Sequence, residues 1–82
     1  MNSSVLENRI RKSPFLNNIC KDNPSLEQVA DAITLRTLSR RATHQEKQLY
    51  KEYMEQNNLP LKEVAIDIMW MQINSNEFLY NH

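Results

Sequence analysis

Glycine is absent from all 82 positions of this chain. Domains of this size built on β-sheet normally use several glycines, at positive-φ turns, bulges and phosphate-cradling loops. Without them the accessible architecture is helices joined by brief turns, and the P-loop and the dinucleotide-binding fingerprint are excluded. The length gives room for one core and no second domain. The expectation is a compact all-α domain of four or five short helices in an orthogonal or irregular bundle, over residues 13–82, with residues 1–12 a frayed N-terminal segment.

Local signals place the helices. Ser13 caps and Pro14 opens a short helix whose apolar face is Phe15, Leu16, Ile19 and Cys20. A second helix runs from Ser25 to about Ser39, with Leu26, Val29, Ala30, Ile33 and Leu38 at helical spacing and Ser25 with Gln28 as a capping box; Asn23 before Pro24 is an equally good cap. Thr43 and Glu46 form the strongest box in the chain. The helix that they start is expected to turn Leu49, Tyr50, Tyr53 and Met54 inward, and Asn57 or Asn58 takes the left-handed turn at its end. Pro60 opens a fourth helix carrying Leu61, Val64, Ala65, Ile68, Met69, Met71 and Ile73 with Trp70 among them. Its second half, IMWMQI, is apolar on more than one side, as suits a central helix covered by several neighbours. Asn74 and Glu77 repeat the capping pattern, so Phe78, Leu79 and Tyr80 are expected to fold back as anchors. The predicted core is Phe15, Leu26, Ile33, Leu38, Leu49, Tyr53, Ile68, Trp70 and Phe78.

Constellations for chemistry are sparse. His44 and His82 are far apart in sequence and no helical ligand pair exists, so no metal site and no cofactor is expected. The single cysteine, Cys20, has no partner for an intramolecular disulfide and reads as a small core thiol. No serine or cysteine has the glycine-built elbow of a nucleophile. Glu27 and Asp31 read as a solvated face. An enzyme built on Asp67, Glu77 and His82 is the weakest reading, and no catalytic residue is assigned.

Ten basic and ten acidic residues cancel, so no global field attracts nucleic acid or an anionic membrane. Locally, Arg36, Arg40 and Arg41 with Lys47 and Lys51 form a candidate basic ridge across the turn between two helices, the pattern of a helix-turn-helix with its recognition helix starting near Thr43. Glu46, Glu52 and Glu55 on that helix would face phosphates unfavourably, which makes nucleic acid the second choice. No apolar run has the length of a membrane span, and the first residues lack a signal peptide's apolar stretch; a complete chain of this kind is expected to be soluble and cytoplasmic. The leading expectation is a non-enzymatic helical module that binds a protein partner or itself. Residues 66–73 are more apolar than so small a core can cover, which leaves Met69 and Met71 as candidate contacts beside the basic residues Arg36, Arg40, Arg41 and Lys47.

The segments SPFL, LSRRATHQE and IDIMWMQINSNEFLYNH together resemble the C-terminal part of the planctomycete cytochrome-associated domain of unknown function, with its "NSPF", "LSR.PT..E" and "DLLWALLNSNEFLYNH" motifs. The likeness covers residues 13–82 and is most specific over 38–46 and 67–82. It implies no catalytic residues. It implies a structural role for Arg40 and Thr43 at the helix junction, and for Trp70, Asn74, Ser75, Glu77, Phe78, Leu79 and Tyr80 in a packed C-terminal core. Ala42 stands where the family has proline, a departure expected to loosen the junction.

Overall fold

The computed structural model describes residues 3–81, with side chains described for residues 4–78. Six helices follow one another: α1 (Ser3–Arg11), α2 (Pro14–Ile19), α3 (Leu26–Leu38), α4 (His44–Asn57), α5 (Leu61–Ile73) and α6 (Asn76–Asn81). No strand occurs among the described residues. The all-α class expected from the missing glycines is what forms.

Helix starts are set by their caps. The hydroxyls of Ser13, Ser25 and Thr43 accept from the backbone N–H groups of Leu16, Gln28 and Glu46, and the last two close complete capping boxes. Asp22, Asn23, Ser39 and Asn58 adopt positive φ in the turns where glycine would otherwise stand. Three of these are Asn or Asp, whose short polar side chains tolerate the left-handed region. Ser39 has no such advantage.

Helix α5 is the centre of the molecule and touches all five other helices. That is why its apolar residues do not keep to one face. Val64, Ala65, Ile66 and Ile68 pack against Val29, Ala30 and Ile33 of α3, with Ile10, Leu16, Ala42 and Tyr50 completing the core cluster. The opening segment, expected to fray, is α1: Ile10 is buried, and Arg11 reaches α5 to pair with Glu63 at 2.7 Å.

Three expectations need correction. Leu49 and Tyr53 point outward from α4, which buries Tyr50 in their place, and Trp70 points outward from α5. The reason is helical phase, since Tyr50 and Met54 lie toward α3 and α5 while Leu49 and Tyr53 are rotated to the open side of the α4/α5 contact. Ile33, Leu38 and Ile68 are buried as expected, whereas Phe15, Leu26 and Phe78 are half-buried. Asn74 and Glu77 do not cap α6. Asn74 ends α5 and its side-chain amide donates to the Trp70 carbonyl, while Ser75 Oγ accepts from Phe78 N and Glu77 is drawn to Arg40. The side chains of Leu79, Tyr80 and Asn81, and all of His82, lie outside the described residues.

Candidate functional site

Two polar joints and one apolar groove account for the candidate residues. The first joint is Arg40, in the turn that Ser39 redirects after α3. Its guanidinium grips Glu77 of α6 (Nε at 2.6 Å, Nη2 at 2.8 Å) and Glu46 of α4 (Nη1 at 2.8 Å, Nη2 at 3.0 Å), and Nη1 also donates to the Arg41 carbonyl at 3.0 Å. All five N–H donors of the arginine are thus engaged. Hydrogen bonding to Arg40, reinforced by the Thr43 N–H, holds the Glu46 carboxyl at about 2, and the Glu77 carboxyl is lowered by the same guanidinium.

Beside it, Asp31 of α3 accepts from Lys47 Nζ at 2.9 Å and from the Ala42 N–H at 3.1 Å. Lys47 lowers the Asp31 carboxyl pKa. Asp31 is therefore a tie between α3 and the start of α4, in place of the solvated face expected for it. The alanine at 42 tightens the junction, because a proline there has no N–H to give Asp31.

These bonds disperse the basic ridge. Arg40 and Lys47 are matched by carboxylates, Arg36 lies 5.0 Å over the Phe15 ring, and Arg41 is exposed next to the joint. Lys51 faces a separate polar groove of about 650 Å³ between the start of α3 and α4, shared with His44, Lys47, Glu27 and Glu55. Of the proposed acid and base set, Glu77 is held by Arg40 and Asp67 accepts from the Tyr53 hydroxyl at 2.6 Å, while His82 lies outside the described residues. Among the described residues no three His, Cys, Asp or Glu side chains are placed to hold a metal. Cys20 is half-buried, and burial raises its thiol pKa.

The second joint lies within the core. Gln72 of α5, only 4% exposed, donates from Nε2 to Thr34 Oγ1 at 2.9 Å and to the Tyr50 hydroxyl at 3.1 Å, and its Oε1 accepts from Thr37 Oγ1 at 2.6 Å. No buried side-chain polar atom among the described residues lacks a partner. Sequence reasoning passed over this network. Its signal was present, since Thr34 and Thr37 fall at helical spacing with Ala30 and Ile33, and Gln72 is the one polar residue in IMWMQI.

The groove lies between α4 and α5 and has a volume of about 430 Å³. Tyr50 and Ile68 form its floor, and Leu49 and Tyr53 of α4 line it opposite Asp67, Trp70 and Met71 of α5. Leu49, Tyr53, Trp70 and Met71 are 58%, 39%, 37% and 45% exposed, four of the six large apolar side chains left open among the described residues, gathered in one place. Trp70 and Met71, consecutive on the central helix, therefore belong to this surface, whereas Met69 is half-buried and packs against the core cluster. The bond to Asp67 raises the Tyr53 hydroxyl pKa and holds the ring at the edge of the groove.

The chain matches no known protein family, and no curated protein or solved structure is similar to it at significance.

Proposed function

We propose that this chain is a non-enzymatic helical module that docks a protein, either another protein or a second copy, on the groove between α4 and α5. The observation that carries this reading is the grouping of Leu49, Tyr53, Trp70 and Met71 around one concavity. An apolar patch that gathers most of the exposed large apolar side chains described for so small a domain is the usual mark of an interaction site. The remaining polar constellations serve the fold: Arg40, Glu46 and Glu77 join α6 to the α3/α4 corner, and Gln72 joins α5 to α3 and α4. Nucleic-acid binding by residues 36–51 is less favoured, because Arg40 and Lys47 already face carboxylates.

The chain is further proposed to be a divergent relative of the planctomycete cytochrome-associated domain that it resembles. In support, the "LSR" and "NSNEF" stretches, far apart in sequence, meet through Arg40 and Glu77.

Selection of helical peptides from a displayed library tests the docking reading, with the native chain as bait and a Leu49→Glu, Met71→Glu variant as counter-bait. Peptides that bind the native chain and not the variant are expected. Binders indifferent to the two substitutions would overturn it.

A further inference from the structure

The groove is lined by a single charged side chain, and it is acidic. Asp67 stands between the Tyr53 and Trp70 walls and, among the described residues, forms no ion pair; its Oδ2 accepts from the Tyr53 hydroxyl. No basic residue lines this groove, because Lys47 and Lys51 of α4 both turn to the polar groove on its other side. A chain with zero net charge thus presents a locally acidic, aromatic and apolar surface.

Resting on the docking reading above, we propose that the occupant is a basic amphipathic helix of a partner protein. An apolar side chain of that helix fills the space over Tyr50 and Ile68, and a lysine or arginine one turn away meets Asp67 against the Tyr53 and Trp70 rings. Each part of the surface calls for a part of that ligand. The apolar floor favours a leucine or methionine, as in helix-in-groove recognition. The unpaired carboxylate favours a cation, and the flanking aromatic faces attract a cation as well. A second copy is the poorer fit, since no basic residue lines this face to meet Asp67 across a two-fold contact.

Trp70 is the single tryptophan of the chain, so its fluorescence reports the groove directly. The probes are three synthetic leucine-rich amphipathic helices whose polar face carries lysine, glutamine or glutamate. The lysine peptide is expected to bind at least about tenfold more tightly than the glutamine peptide, with the glutamate peptide weakest. Asp67→Asn, which keeps an oxygen for the Tyr53 hydroxyl, is expected to remove most of that preference while binding of the glutamine peptide stays. Equal affinities for the three peptides, or a lysine preference that Asp67→Asn leaves intact, would overturn the basic-helix proposal and leave docking standing. No response of Trp70 to any peptide would overturn both.

Discussion

Gln72 shows how a single side chain decides which helices meet. Its amide satisfies Thr34, Thr37 and Tyr50 at once in a site closed to water. Gln72→Leu deprives the Thr34 and Tyr50 hydroxyls of this amide, while Thr37 keeps its bond to the Ile33 carbonyl, and a buried polar group so stranded costs about 1–3 kcal/mol. Urea denaturation is expected to show a loss of roughly 2–4 kcal/mol, since more than one hydroxyl is affected. Trp70→Ala, by contrast, removes a side chain that faces the groove. It is expected to cost only about 1 kcal/mol, well below the roughly 3–5 kcal/mol of a buried aromatic truncation. Ser39 holds a left-handed backbone with φ of 59° and lacks the side chain that eases it. Ser39→Gly is expected to raise stability by about 0.5–1 kcal/mol in the same assay.

Elements were legible in the sequence to the extent that their signals are local. Ser25 with Gln28 and Thr43 with Glu46 declare their helices within three residues, and the missing glycines declare the helical class. What joins the elements was not legible. Glu46 reads as a cap and is one, but it is also half of a clamp on Arg40, and the other half, Glu77, comes 37 residues after the arginine. The same distance effect misassigned Glu77 as a cap and left Asp31 on a solvated face. The rotation of α4 was misjudged because Leu49, Tyr50, Tyr53 and Met54 are wider than one buried stripe, and periodicity alone does not say which edge of the stripe is covered. The joint carries its own test. The folded-state carboxyl of Glu46 lies at about 2, below its ordinary 4.5, so its stabilising contribution is present above about 4.5 and is lost as pH falls through about 2. Asp31, Glu63 and Glu77 shift in the same direction. The melting temperature is therefore expected to fall steadily from pH 4.5 downward, and Arg40→Gln is expected to flatten that slope. In hydrogen exchange the same variant is expected to speed the amides of α6, which Arg40 ties to the rest of the fold.

At the scale of the whole molecule, the five other helices all pack against α5, and the described residues leave the α4/α5 groove open. Arg40 ties α6 to the α3/α4 corner, and the helices that α6 contacts are α3 and α5. The face offers a second copy no cation to meet Asp67, so sedimentation is expected to give a monomer at neutral pH and micromolar concentration. A dimer that Leu49→Glu dissolves would make the second copy the occupant. The central claim is that Trp70 marks an open surface in the free protein, and collisional quenching of its fluorescence by acrylamide measures this most directly. The native, dilute protein is expected to be quenched readily, at a rate between that of a buried indole and that of the unfolded chain. A Trp70 as protected as a core residue would mean that the groove is closed in solution, and the docking surface would be lost with it.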